Sequence, residues 1–177
     1  DDQPVGAPVI RERQLLLRTA QQRYHPARPF ERVLLIDPHG FQRGLNAGLG
    51  ALAGALAAAG IAWRVADDNN GTVAREALLN ELAAGGYTAV GLSVKTATRA
   101  AACRWARAVR RAAPSITIIA GGPDVTLYPE AYAGESAIDF LVRGDGEQAL
   151  PDMLADRAAA RAGRIPGVMP PGAMPTA

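Results

Sequence analysis

The 177-residue sequence contains one cysteine, Cys103. That excludes an internal disulfide, and it excludes a zinc or iron–sulfur site built from this chain's cysteines alone. Cys103 falls in a helical stretch, Ala100 to Arg111, where a partly buried and inert thiol is the simplest reading. Aromatic residues make up only 5% of the chain, too few for single-stranded nucleic-acid binding by base stacking. Lysine is nearly missing as well: Lys95 is the only one, and arginine supplies the rest of the 19 basic residues. Against 17 acidic residues this leaves a net charge of +2, spread along the chain without a basic patch, so nucleic acid is not an expected partner. Two histidines, His25 and His39, cannot furnish a credible Ser-His-Asp or Cys-His arrangement. No apolar run reaches the about 18 residues that span a bilayer, so no membrane partner is expected. The chain starts Asp1-Asp2-Gln3-Pro4, without an initiator methionine or a signal-peptide pattern. It reads as cytoplasmic, and as trimmed or cut from something longer.

What is present suits one ordinary domain with tails. The chain is 49% hydrophobic and 20% charged, so it can bury a real core. Residues 1–29 carry four prolines and one short amphipathic piece around Leu15, Leu16 and Leu17, and read as an N-terminal arm with one short helix. From residue 30 to 164 the pattern is regular. Val33-Leu34-Leu35-Ile36 is an uninterrupted apolar run, as in a strand buried on both faces of a parallel sheet. Leu45, Leu49, Leu52 and Leu56 then form a helix stripe. Further strands are expected at Ile61–Ala66, Val90–Val94, Ile116–Ala120 and Ile138–Val142. Helices are expected at Thr72–Ala84, Thr98–Ala113, Tyr128–Tyr132 and Gln148–Arg161. Trp63 and Trp105 read as packing residues. Arg104, Arg107 and Arg111 read as a solvated helix face. Residues 165–177, rich in proline and glycine, read as a linker.

Five strands alternating with helices predict an α/β fold: a doubly wound, five-stranded parallel sheet with helices on both faces, flavodoxin-like (Rossmann-like) in order 2-1-3-4-5. Ligands of such sheets sit beyond the carboxyl ends of the strands, at the switch point between strands one and three. The loops that matter are therefore Asp37–Gly44, Ser93–Thr98, Gly121–Thr126 and Arg143–Glu147. Ser93, Thr96 and Thr98 can bond a polar ligand, or they can cap the following helix. Gly121-Gly122 lets backbone approach a ligand, or it is a plain tight turn before Pro123. Gly144-Asp145-Gly146-Glu147 opens a helix with acids that suit its positive end and disfavour a phosphate. No Walker loop and no G-x-G-x-x-G follow the first strand, and the acidic cluster of a phospho-receiver domain is missing.

Taken together, spaced pieces of the chain resemble the cobalamin-binding domain of cobalamin-dependent radical SAM enzymes. The matching text is Val33-Leu34-Leu35-Ile36-Asp37-Pro38, Gly44-Leu45-Asn46-Ala47-Gly48-Leu49 and Val90-Gly91-Leu92-Ser93. It continues through Ile119-Ala120-Gly121-Gly122-Pro123 with Tyr128-Pro129-Glu130, then Asp139-Phe140-Leu141-Val142-Arg143-Gly144-Asp145-Gly146-Glu147, and ends at Ile165-Pro166-Gly167-Val168. The Gly-Gly-Pro and Arg-Gly-Asp-Gly-Glu steps, at their separation, are the most specific parts.

The resemblance implies a corrin over the carboxyl edge of the sheet, with its dimethylbenzimidazole tail inserted beside strands three and four. Ser93, Thr96 and Thr98 would line that slot, with Gly121 and Gly122 as its close backbone wall, and Val94, Lys95 and Pro123 would count among the cofactor-binding residues. Gly144, Gly146 and Glu147 would complete the cofactor-binding set. The lower face of the cobalt would meet Asp37, His39 and Gly40. Cobalamin-dependent mutases and methionine synthase carry Asp-x-His-x-x-Gly, whose histidine ligates cobalt; here Asp37-Pro38-His39 keeps the first two positions and Gln42 replaces the glycine. His39 is thus the metal-ligand candidate, with Asp37 orienting its ring. The alternative is an exposed loop histidine, since many radical SAM relatives bind cobalamin without a protein ligand.

The family's S-adenosylmethionine and 4Fe-4S cluster need C-x-x-x-C-x-x-C, which one cysteine cannot supply, so the catalytic radical SAM domain would act in cis or in trans. The implied function is the cobalamin module of a radical SAM methyltransferase or related enzyme, not catalytic by itself. Alternatives are a stand-alone cobalamin carrier or sensor working with a partner protein, and a flavodoxin-like domain for another ligand.

Overall fold

The apolar run Val33–Ile36 lies inside strand β1 (Arg32–Asp37), whose last five residues are all buried. The structure, a computed structural model, describes residues 31–40, 46–70 and 73–173. The expected N-terminal arm, and the positions of Gln42, Leu45 and Thr72, lie outside them. The chain continues through helix α1 (Ala47–Ala58), β2 (Ala62–Asp67), α2 (Arg75–Ala83), β3 (Ala89–Ser93), α3 (Arg99–Ala112) and β4 (Thr117–Gly121). It then forms α4 (Pro123–Leu127), β5 (Phe140–Val142), α5 (Gly146–Ala155), α6 (Arg157–Arg161) and β6 (Val168–Met169). The sheet order is β2-β1-β3-β4-β5-β6. The first five strands are parallel, in the expected order.

The sixth strand is a correction to the expected five. β6 pairs antiparallel with β5, so residues read as the start of a linker close the sheet's edge. The turn before it depends on Gly167, whose φ is +75° and where a Cβ would stand 2.7 Å from the Arg143 carbonyl oxygen. Only a glycine lets that turn approach β5 and accept the Arg143 N–H at 2.8 Å. The single helix expected over Gln148–Arg161 is two helices, because Asp156 accepts the Ala159 N–H at 2.8 Å and caps α6 anew. Helix α4 is an addition: Pro123 supplies a suitable first residue after Gly122. The helix expected at Tyr128–Tyr132 is a 3₁₀ turn, Pro129–Tyr132.

Alternation in the strands builds a core on each face. Leu34, Ile36, Val90, Leu92, Ile118 and Ala120 pack against α2 and α3. Val33, Leu35, Ala89, Ile119, Phe140 and Val142 face α1 and α5. On the first face Trp105 is fully buried; its indole N–H donates to Asp68 at 2.9 Å, and the Arg75 guanidinium lies 4.4 Å from its ring centre. Trp63 departs from its packing reading, since it stands 44% exposed on β2, the outer strand. Arg107 lies exposed, in line with the solvated-face reading, and also donates to the buried carboxylate of Glu135 at 2.7 Å. Cys103 is half-buried, and burial, then neighbouring Glu135, pushes its thiol up, which keeps it protonated and unreactive.

Trp105→Ala is expected to cost about 3–5 kcal/mol, the usual range for emptying a buried aromatic position. Equilibrium urea unfolding measures it as a fall in midpoint at constant slope.

Candidate functional site

The face of the sheet toward α1 and α5 has a gap. Leu35, Gly91 and Ile119 are paired in register on β1, β3 and β4, so they form one row across the sheet. In that row the middle strand contributes no side chain. A Cβ on Gly91 would stand 2.9 Å from the Leu35 Cδ2 atom. The next row toward the carboxyl edge pairs Ser93 with Gly121 and Gly121 with Val142, again small in the middle. Above the gap α1 contributes Leu49 and Leu52, and α5 contributes Gly146 and Leu150. A Cβ on Gly146 would in turn come 2.9 Å from the Leu52 Cδ2 atom. Together these residues line a cavity of about 320 Å³. It has the size of a small-molecule pocket, with an apolar floor and a polar mouth.

Several expected residues meet at that mouth. Ser93, Lys95, Gly121, Gly122, Pro123, Gly144, Gly146 and Glu147 all line the cavity. Gly122 has φ +109°, and a Cβ there would sit 2.7 Å from the Val94 carbonyl oxygen. The Val94 N–H donates to the Gly121 carbonyl at 2.7 Å, which presses the glycine step against β3. Gly144, at φ +73°, donates its N–H to the Thr126 hydroxyl at 3.0 Å. The Arg143 guanidinium donates to the Thr126 carbonyl at 3.3 Å, which fixes the Arg-Gly-Asp-Gly-Glu turn beside α4.

Other expected residues do not line the cavity. Val94 is fully buried in the core of the opposite face. Thr98 is 3% exposed: its hydroxyl accepts the Lys95 N–H at 3.0 Å and donates to the Lys95 carbonyl at 3.1 Å, so it serves the 3₁₀ turn Thr96–Thr98. Its methyl supports Gly40, where a Cβ would come too close to Thr98 Cγ2. Thr96 is exposed and bonds toward Asp124, not into the cavity. Asp37 is 2% exposed and faces Lys95 Nζ at 3.5 Å across the switch point, so it does not orient the histidine. His39 is exposed outside the cavity, with Nδ1 3.4 Å from the Asp68 carbonyl oxygen. A carbonyl only accepts, so the matching tautomer carries its proton on Nδ1. Among the described residues no three His, Cys, Asp or Glu side chains gather to hold a metal ion.

Sequence reasoning missed Gly91 and Asn46 as site residues. Gly91 was legible as a glycine inside a buried strand, a frequent mark of close approach. Asn46 accepts the Leu49 N–H at 3.2 Å as the cap of α1, and donates to the Ser93 hydroxyl at 3.0 Å, joining helix to strand at the mouth. Leu49, Leu52 and Leu150 belong to helix stripes that read only as core.

Behind the glycine wall lies Asp124, with no exposure at all. Its two oxygens accept Arg99 Nε at 2.6 Å and Nη2 at 2.7 Å, and the Tyr132 hydroxyl at 2.6 Å. Burial works to raise this carboxyl, but the bonds from Arg99, Tyr132 and Thr96 outweigh it and hold the carboxyl below its ordinary range. Burial, then the anionic neighbour, pushes the Tyr132 hydroxyl up, so it stays a donor.

The arrangement defines a class: a doubly wound α/β domain with a half-apolar slot at the carboxyl edge, next to its switch point. The chain belongs to the B12 binding domain family, whose profile matches residues 41–154. Among solved structures it is similar to TsrM, a radical S-adenosylmethionine methyltransferase from Kitasatospora setae with cobalamin and a 4Fe-4S cluster bound. That alignment has TM-score 0.68 and 21% identity, over 80% of this chain and 29% of TsrM. It is also similar to OxsB, a cobalamin-dependent S-adenosylmethionine radical enzyme with aqua-cobalamin and S-adenosylmethionine bound. Here the TM-score is 0.64 and the identity 18%, over 89% of this chain and 25% of OxsB. At such identities the likeness is one of fold, and this chain spans less than a third of either enzyme. No curated protein sequence matches it. No helix among the described residues is long and apolar enough to cross a membrane.

Asp124 has a folded-state pKa below its unfolded value, so its stabilising contribution is full above about pH 4 and is lost as pH falls through the folded value. Asp124→Asn is expected to differ most from wild type near about pH 7 and to converge with it in acid. Denaturant unfolding across that range measures the difference.

Proposed function

We propose that this chain holds cobalamin for a radical SAM catalytic domain, supplied in cis or in trans, that performs methyl transfer or related radical chemistry. The observation that carries the reading is the slot opened by Gly91. Its size suits the nucleotide tail of a corrinoid and not the whole macrocycle, which would stay outside over the carboxyl edge. Leu35, Ile119 and Leu150 offer apolar walls to a flat benzimidazole ring. Ser93, Asn46 and Lys95 offer a hydroxyl, an amide and an ammonium group to the sugar and phosphate at the mouth. Gly121 and Gly122 bring backbone to the ligand without side chains between. Bound cobalamin supplies a cobalt centre that can carry a methyl group. S-adenosylmethionine and a 4Fe-4S cluster would sit on the partner domain; the support is that TsrM binds a 4Fe-4S cluster and OxsB binds S-adenosylmethionine beside cobalamin.

His39 lies outside the slot with its ring turned to Asp68, and Asp37 is committed to Lys95. These contacts favour a corrinoid held by its tail over one held by a histidine–cobalt bond.

Purified chain mixed with hydroxocobalamin and desalted is expected to retain the corrin spectrum. Failure to retain it, or a flavin found in its place, overturns the reading. Gly91→Val keeps the strand, because only the end of Leu35 must shift, yet fills the slot; it is expected to stay folded by circular dichroism and to bind hydroxocobalamin about tenfold more weakly or worse. His39→Ala is expected to keep both retention and the visible spectrum, since no bond to cobalt is lost.

A further inference from the structure

A carboxylate removed from solvent needs a reason to be there, because leucine or alanine would fill the space without a charge to neutralise. Asp124 links three elements at one point: Arg99 is the first residue of α3, Asp124 the second of α4, and Tyr132 the last of the 3₁₀ turn Pro129–Tyr132. The Arg99 guanidinium also lies 5.6 Å and 5.9 Å from the ring centres of Tyr128 and Tyr132, so its plane is fixed by aromatic faces as well as by the two oxygens. The three side chains do not line the slot. What they hold does. Pro123 and Gly122 directly precede Asp124 and form the slot wall, and the Asp124 N–H donates to the Val94 carbonyl at 3.2 Å. Gly122 is already pressed against that same carbonyl at a φ open only to glycine. A wall with so little slack has one position, and the Arg99–Asp124–Tyr132 cluster sets it from behind.

We propose that Arg99, Asp124 and Tyr132 are positioning residues for the nucleotide tail of the corrinoid, fixing the Gly121–Gly122–Pro123 wall of its slot without touching the ligand. The inference rests on the cobalamin reading and deepens it: the cluster should govern discrimination for the tail rather than affinity for the corrin ring.

The test compares two probes on the same chain: hydroxocobalamin, and aquocobinamide, a corrin without the nucleotide tail. Wild type, Tyr132→Phe and Asp124→Asn are titrated by visible absorbance, with circular dichroism to verify folding. Tyr132→Phe removes one hydroxyl and keeps the ring, so it remains informative if Asp124→Asn does not fold. Both variants are expected to lose about tenfold in affinity for hydroxocobalamin, the size of one charged hydrogen bond, and to change less than about twofold for aquocobinamide. Equal weakening toward both probes would indicate general loosening and overturn the proposal. So would unchanged affinity in folded variants when wild type prefers the tailed probe, and in that case the cobalamin reading survives. A wild-type chain that binds neither probe overturns the cobalamin reading itself and the proposal with it, whereas one that binds both alike overturns the proposal and leaves cobalamin binding standing.

Discussion

A close-packed sheet face leaves room for a ligand only where a side chain is missing, and in this chain the omission is Gly91. Its neighbours in the row, Leu35 and Ile119, are ordinary core residues, so the gap is bounded on both sides by apolar walls. The two helices above could close it, but α5 presents Gly146 there, and Leu52 of α1 already stands where a Cβ on that residue would go. Gly91 on the strand and Gly146 on the helix thus both line the slot. Its polar mouth follows from the same geometry: beyond Gly91 the strands end, and Ser93 and the Gly-Gly-Pro step take over.

The acids of this domain follow a consistent pattern. Asp37, Asp124, Glu135 and Asp139 each meet a basic residue from a different element: Lys95, Arg99, Arg107 and Arg110. Three of those partners come from α3, which lies against β3 and β4 on the face opposite the slot. Arg110 is the most committed, donating also to the carbonyl oxygens of Pro114, Ile116 and Ala137. Such pairs add little stability when exposed, but a buried carboxylate that loses its partner is costly. Their effect is to fix where the loops leave the sheet, which is what a binding edge built from loops requires.

How far the sequence could be read depended on whether a residue's environment was local or distant. The run Val33–Ile36 and the expected strands Val90–Val94 and Ile116–Ala120 carried their burial in their own composition, so strand order and slot edge followed from general topology. Ser93, Gly121, Gly122 and Gly144 were legible as loop residues at carboxyl ends. Thr96 and Thr98 were not separable from them, because a hydroxyl after a strand can face a ligand or its own backbone; Thr98 was taken up by the Lys95 peptide. Nothing local reveals that Arg99, 25 positions away, pairs with a buried Asp124. β6 is two residues long among prolines and glycines, so no periodicity could announce it. Trp63 was misjudged because its strand falls at the sheet's outer edge, where an aromatic residue need not be covered.

The slot also bears on how the two faces of the sheet divide their work. An open cavity floored by leucine and isoleucine forfeits packing contacts on the α1–α5 face. On the opposite face Val90 and Leu92, which flank Gly91, are buried against the α2 and α3 layer that contains Trp105. The ion pairs of α3 lie on that opposite face, while the slot lies on the α1–α5 face. Any molecule that fills the slot restores the missing contacts in the folded state alone, and so must stabilise the fold in proportion to its affinity. Binding and folding are coupled here through one row of the sheet.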